Sequence, residues 1–213
     1  MLSINEFYDI VIPRLNDVPF ITYNGTLWSV IVKNKLYKDD LDIDLLFPAE
    51  VRDRLKTLFS DFTILRDDVY HLYFEFHNRR LDCYLYYDHG SYISESSSYA
   101  HLADELNIDP ESISLHWDKN LIFPTYPLIF RNQTLNIPNK PELMLEEHYG
   151  KDWRLWETPE GDSTVKGIQV YRTVTDHKTE FFYKHNNTPY YWDKNGFKYS
   201  FIPVTPSSQL LKC

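Results

Sequence analysis

With 213 residues, 43% of them apolar and 16% aromatic, the chain can bury roughly 70% of its unfolded surface and is too apolar for intrinsic disorder. Its net charge of -9 argues against a broad nucleic-acid surface, which needs a basic face, but allows a small anionic substrate held by local cations or a metal. Two cysteines, Cys83 and Cys213, supply neither a disulfide framework nor zinc spacing, so a reducing, cytoplasmic setting fits; no apolar run approaches the length of a membrane span.

In chain order, residues 1–17 mix apolar side chains with Glu6, Asp9 and Arg14 and predict an amphipathic helix, with a break at Pro13, rather than a signal peptide. Residues 20–23 read as a short strand or turn that delivers Gly25. A second helix is expected over residues 25–33, with Leu27, Trp28, Val30 and Ile31 forming its apolar surface. A strand through Asp42 and Asp44 follows. Pro48 then stands at the first position of a helix carrying Val51, Leu55, Leu58 and Phe59. Residues 62–65, 69–76 and 81–87 read as neighbouring strands. In the second of these, Tyr70, Leu72, Phe74 and Phe76 share the apolar face, leaving His71 and His77 on the polar one. Arg79-Arg80 falls at the turn before Asp82. Helices are expected over residues 99–106 and 141–149, the second with Gly150 just past its end. Beyond about Glu157 helical periodicity is lost, strands are expected at 168–170 and 181–183, and Asn186-Asn187 and Asn195-Gly196 supply turn signals. The chain therefore divides into a core, 1–157, and a small β appendage, 158–213.

The chemistry concentrates between Gly25 and Asp44. Leu41 to Leu45 alternates as Leu-Asp-Ile-Asp-Leu, and residues two apart in a strand share a face. Asp42 and Asp44 therefore stand side by side, and such like charges shift each other's pKa unless a cation lies between them. Oxygen-only ligands select a hard ion, magnesium first and manganese second. Asp82, flanked by Leu81 and Cys83, is a third candidate ligand on another strand. Asp40 shares the parity of Asp42 but precedes the strand, as a solvated residue or a neighbour of the ligands. Gly25, with Thr26, lets backbone N–H groups approach a phosphate at a helix start. Arg80 is either a solvated turn residue or a contact for donor phosphates. Taken in order, Gly-Thr, Asp-x-Asp and a lone Asp form the layout of a two-metal phosphoryl-transfer site. The alternative is an exposed strand face with solvated carboxylates. The histidines are scattered without ligand spacing, so zinc is not expected.

Two separated blocks resemble the LicD/fukutin family of phosphotransferases. Gly25-Thr26-Leu27-Trp28-Ser29 followed by Asp40-Leu41-Asp42-Ile43-Asp44 is similar to the family's first block. Ile122-Phe123-Pro124, Ile137-Pro138-Asn139-Lys140-Pro141 and Tyr149-Gly150-Lys151-Asp152-Trp153 resemble its second, and Asp82 falls at the family's third acidic position. The chain departs from the pattern at Asp39, Leu41 and Val32, where the family has an aromatic residue, an aspartate and an arginine. Lys33 and Lys35 lie where they could replace that arginine. The resemblance implies a nucleotidyltransferase-like α/β (α+β) core, a mixed sheet with flanking helices. It also implies Mg2+-dependent transfer of a phospho-alcohol, such as phosphocholine or ribitol phosphate, from a CDP-linked donor to a sugar or glycan hydroxyl, with Asp42, Asp44 and Asp82 as metal ligands. A nucleotidyltransferase using an NTP and a non-catalytic glycan- or partner-binding protein on a transferase core are the alternatives. The aromatic tail, including Tyr190, Tyr191 and Trp192, reads as an acceptor platform or a packed lid.

Overall fold

The computed structural model describes residues 2–96, 114–149, 153–155, 168–175, 178–185, 188–193 and 199–200. The helix expected over 99–106, Gly150 and the Asn186-Asn187 and Asn195-Gly196 turns lie outside the described residues. The backbone forms two compact units, residues 1–93 with 117–162, and residues 94–116 with 163–213.

Helix α1 (Ile4–Arg14) begins at a capping box: the Ser3 hydroxyl accepts from the Glu6 backbone N–H, and the Glu6 carboxylate accepts from the Ser3 N–H at 2.8 Å. Ile4, Phe7, Tyr8, Val11 and Ile12 are buried at helical spacing. The break expected at Pro13 does not occur, because Pro13 lies in the last turn, where it forfeits one late hydrogen bond rather than interrupting the helix. Strand β1 (Ile21–Thr22) leads into α2 (Asn24–Trp28), which changes to a π-helical turn over Ser29–Lys33. The expected helix over 25–33 is thus two pieces. The β-branched run Val30-Ile31-Val32 crowds an α-helical backbone, and the turn ends at Asn34 in the left-handed region, φ 49°.

Strand β2 (Asp42–Pro48) carries the acidic pair. Pro48 ends this strand, ahead of a 3-10 turn (Ala49–Val51) and α3 (Arg52–Leu58), instead of opening the helix itself. It has an extended ψ of 137°, and without an N–H it cannot continue the ladder. Next come β3 (Thr63–Asp67), β4 (His71–Phe76) and β5 (Arg79–Asp88). The β4–β5 loop is His77-Asn78, both at positive φ (52° and 62°), as a two-residue type I′ hairpin requires. Arg79 and Arg80 are therefore the first residues of β5 and not a solvated turn.

The sheet runs β1-β2-β5-β4-β3, with β2 and β5 parallel and the other pairs in this path antiparallel. The mixed sheet flanked by helices is the architecture expected from the sequence. Strands β6 (Tyr92–Ser96) and β7 (Ser114–Asp118) join it through β5 and β6. A short helix α4 (Lys119–Ile122), a hairpin of β8 (Tyr126–Phe130) and β9 (Gln133–Ile137), and α5 (Pro141–Tyr149) complete the first unit. The hairpin turns at Arg131-Asn132, again at positive φ. In the tail, β10 (Ile168–Thr175), β11 (Lys178–His185), β12 (Thr188–Asp193) and β13 (Tyr199–Ser200) form one antiparallel sheet, the expected C-terminal β element. No helix among the described residues is long and apolar enough to cross a membrane.

Residues paired across a sheet share a face, so the register sorts the central strands into two surfaces. One carries Ile43, Leu45, Phe47, Leu81, Cys83, Leu85, Leu72 and Phe74, all fully buried. The other carries Asp42, Asp44, Arg80, Asp82, Tyr84, Tyr73 and His71. His71 holds the polar parity expected of it but is fully buried. Asp68 accounts for this, because its carboxylate accepts from the His71 backbone N–H and lies 3.0 Å from the ring Nδ1. Burial lowers the His71 pKa despite that partner.

Phe74 sits at the centre of the apolar face, its ring centroid 5.3 Å from that of Phe59 on the segment after α3. Phe74→Ala should cost about 3–5 kcal/mol, as for other buried rings. Urea denaturation measures it, and a loss under about 1 kcal/mol, the size of a typical surface change, would mean this face is not the core.

Candidate active site

The parallel pairing of β2 with β5 sets Asp42 opposite Arg80 and Asp44 opposite Asp82. Four side chains thereby form a block on one face, three acidic and one basic. Arg80 bridges it, donating from Nε to Asp82 Oδ1 at 2.5 Å and from Nη2 to Asp42 Oδ2. Its guanidinium lies 5.7 Å from the centre of the Tyr73 ring, and that of Arg66 lies 5.5 Å from the same ring. Asp44 is 6% exposed and Asp82 3%, so both carboxylates are largely removed from water.

Thr26 positions the strand. Its hydroxyl accepts from the Asp44 backbone N–H at 2.9 Å, and the Tyr23 N–H donates to the Asp44 carbonyl at 3.2 Å. These bonds tie α2 and its approach to the middle of the acidic run. Asp40 precedes β2, half-buried, and its carbonyl accepts from Arg79 Nη1. Arg79 also donates to the Leu2 carbonyl at 2.7 Å, so the first residues of the chain, the segment before β2 and the start of β5 meet on one guanidinium.

The electrostatics of the cluster follow from too much negative charge in too little water. Two carboxylates about 5 Å apart repel by roughly 3 kcal/mol at an effective dielectric constant near 20. Burial, followed by the charges of Asp42, Asp82 and Asp40, pushes Asp44 well above the usual carboxylate range. Burial and Asp42 raise Asp82 to about 7, with Arg80 acting against them. Burial and Asp42 raise Asp40 to about 8. Arg80 remains charged: burial opposes its guanidinium, but Asp82 and Asp42 outweigh that effect.

One guanidinium does not balance the carboxylates of Asp40, Asp42, Asp44 and Asp82. Among the described residues, no three His, Cys, Asp or Glu side chains are placed to hold a metal ion as they stand, and Arg80 links Asp42 to Asp82. The donor chemistry nevertheless fits a hard divalent cation, since the set is all oxygen and lacks positive charge. Of the residues singled out in the sequence, Asp42, Asp44, Asp82 and Arg80 come together. Thr26 and Gly25 are buried beside them in α2. Lys33 is exposed, with Nζ 5.4 Å from the centre of the Trp28 ring, and the cation paired with the carboxylates is Arg80. Nothing in the sequence alone singles out Tyr73 or Arg66. The β4 alternation that placed Leu72 and Phe74 inward also places Tyr73 on the opposite face, but its partnership with Asp82 depends on a register that becomes visible only once the hairpin turn is located.

The cluster has a pH signature. A carboxylate whose folded pKa exceeds its unfolded value of about 4 contributes stability below the unfolded pKa and loses that contribution as pH rises through the folded pKa. For Asp82 and Asp40 the loss extends through about pH 7 and 8. With chelator present, the melting temperature should fall between pH 6 and about 8.5 and recover on adding Mg2+ at the upper end. Asp82→Asn should flatten the chelator curve. Scanning calorimetry across that range tests both, and a flat wild-type curve would contradict the coupling of these carboxyls.

The sequence matches no protein-family model and no curated protein. Among solved structures, the chain is similar to the antibiotic-resistance factor ANT(2'')-Ia in solution, at 14% identity and a TM-score of 0.40 over 61% of this chain and 62% of that one. It is also similar to ANT(2'')-Ia crystallised in complex with adenylyl-2''-tobramycin, at 12% identity and a TM-score of 0.44 over 68% and 74% of the two chains.

Proposed function

We propose that the protein is a Mg2+-dependent transferase that moves a phosphorus-containing group from a nucleotide donor to an alcohol acceptor, with nucleotidyl transfer from an NTP as the leading form. The observation that carries this reading is the Asp42, Asp44 and Asp82 cluster on adjacent parallel strands, with Asp44 and Asp82 buried, Asp42 half-buried and the set short of positive charge. The same carboxylates serve NTP and CDP-alcohol donors. Features particular to the phosphotransferase resemblance are weaker in this chain: Val32 stands at the arginine position, and Leu41, at that of the middle aspartate, is 59% exposed.

In the proposed reaction Asp42 and Asp44 would hold the divalent cation at the donor phosphates, and Asp82 would complete the metal site on the acceptor side. When bound, such an ion neutralises the donor phosphates and the charge that develops on the leaving group. Asp82 takes the proton of the acceptor hydroxyl, a role its carboxylate can fill from the strand beside Asp44. The acceptor oxygen forms the new bond to phosphorus as the bond to the pyrophosphate oxygen breaks, and the departing oxygen keeps the electron pair. Thr26 and Tyr23 hold β2 in place, so positioning and electrostatics supply most of the acceleration. Segment 158–213 is proposed to bind the acceptor.

The CDP-linked phospho-alcohol reading is second and has one specific observation in its favour. Trp28 in the first family-like block donates from Nε1 to the carbonyl of Trp153 in the second, at 2.9 Å, so the two blocks meet in the fold. Incubation with NTPs and CDP-alcohols in Mg2+ separates the readings. Pyrophosphate release supports nucleotidyl transfer, CMP release supports the CDP-alcohol route, and neither product would leave a non-catalytic binding protein.

Asp42→Asn and Asp44→Asn should each lower turnover by roughly 100-fold or more, equivalent to about 3 kcal/mol of transition-state stabilisation, with the chain still folded by circular dichroism. Asp82→Asn should reduce transfer strongly while calorimetry shows nearly unchanged donor binding. Full activity in the Asp42 or Asp44 variant would refute the site.

A further inference from the structure

Arg80 occupies an unusual place for a cation in a site of this kind. Its guanidinium spans Asp42 and Asp82, two of the three carboxylates proposed to hold metal. Its side chain is 41% exposed, against 20% for Asp42 and 4% for Asp82, so the guanidinium is at the mouth of the cluster and the carboxylates lie behind it. The Tyr73 ring, buried enough to hold its hydroxyl neutral, is shared by Arg80 and Arg66. Arg66 is itself tethered, donating from Nε to Asp68 Oδ2 at 2.5 Å. One arginine beside Tyr73 is therefore anchored on its own aspartate, and the other depends on the catalytic carboxylates for its partners.

We propose that Arg80 is a built-in competitor for the divalent cation: it neutralises Asp42 and Asp82 until metal arrives with the donor, then transfers its hydrogen bonds to the donor's phosphates beside Arg66. The inference rests on the metal-assisted transfer reading and gives it an order of assembly. Arg80 already holds one oxygen of each of Asp42 and Asp82, and its positive charge repels a cation approaching the other oxygens, so metal alone binds against two charge-assisted bonds and a like charge. Metal carried by a polyphosphate offers the guanidinium a replacement anion. Arginine suits the exchange because its planar fork matches carboxylate and phosphate equally well and it never loses its proton. Metal and nucleotide should consequently bind with positive coupling, each making the other's site.

The test is Mn2+ binding by calorimetry and electron paramagnetic resonance, with and without a non-hydrolysable nucleoside triphosphate, in wild type, Arg80→Gln and Arg80→Lys. Wild type should bind Mn2+ weakly alone and at least about tenfold more tightly with the nucleotide. Arg80→Gln should bind Mn2+ alone about tenfold or more tightly than wild type, and most of the coupling should be lost. Its melting temperature in chelator should fall and recover with Mn2+, whereas Arg80→Lys, a charge without the fork, should lie between the two. Equal or weaker Mn2+ affinity in a folded Arg80→Gln would overturn the competitor role and reduce Arg80 to a structural ion pair. Absence of Mn2+ binding in all three proteins, with and without nucleotide, would instead overturn the metal-assisted reading on which the proposal rests.

Discussion

The parallel pairing of β2 with β5 is the constraint from which the rest of the molecule follows. It holds Asp44 opposite Asp82 and Asp42 opposite Arg80, and a slip by one residue would exchange the two surfaces of the strand. Asp42 and Asp44 would then enter the layer now filled by Ile43, Leu45 and Phe47, where no partner could repay the loss of water. The apolar surface therefore specifies the register, and the register specifies the acidic cluster. Burial on one surface offsets repulsion on the other: each large apolar side chain buried contributes about 1.5–3 kcal/mol, comparable to the repulsion of one close carboxylate pair. With seven such side chains and Cys83 fully buried on that surface, the fold tolerates a charge cluster that a smaller core could not.

The two arginines that open β5 show how neighbouring positions acquire different tasks. Strand alternation turns them to opposite faces. Arg79 is 7% exposed and donates to the carbonyls of Leu2 and Asp40, so it fastens backbone that would otherwise be free to move away from the site. Arg80 faces the carboxylates and pairs with side chains. Carbonyls fixed in the fold keep Arg79 where it is, whereas the partners of Arg80 are the groups a metal would seek. Identity and neighbourhood in sequence are the same; parity alone separates an anchor from an exchangeable counter-charge.

Much of this architecture is legible in the sequence. The Asp-x-Asp alternation, the apolar parity of Leu72 and Phe74, and the proline that opens α5 are local patterns, and the structure contains each. The misread elements depended on turn chemistry. His77-Asn78 carries no glycine, so the sequence signal points to the following arginines; His77 and Asn78, both in the left-handed region, close the hairpin two residues earlier. The same applies to Arg131-Asn132, between β8 and β9, a hairpin not expected from the sequence at all. The burial of His71 was hidden for a different reason. Its parity is polar, and only the folded bend at Asp68 supplies the carboxylate that satisfies it. Within the site, residue types and spacing named the carboxylates, but the pairing of β5 with both β2 and β4 named their neighbours, Arg80 and Tyr73.

The proposed transfer chemistry rests on charge and leaves its substrates open. Carboxylates act through charge, and charge recognises a phosphate without regard to the group attached to it. Specificity for a base, an alcohol or a sugar must come from shape and hydrogen bonding around the cluster. In the first unit Trp28 ties the Trp153 carbonyl to the helix that carries Gly25 and Thr26. Asp42, Asp44 and Asp82 all lie on the β2–β5 pair, whereas Val32 and Leu41, where the chain departs from the pattern it resembles, precede β2.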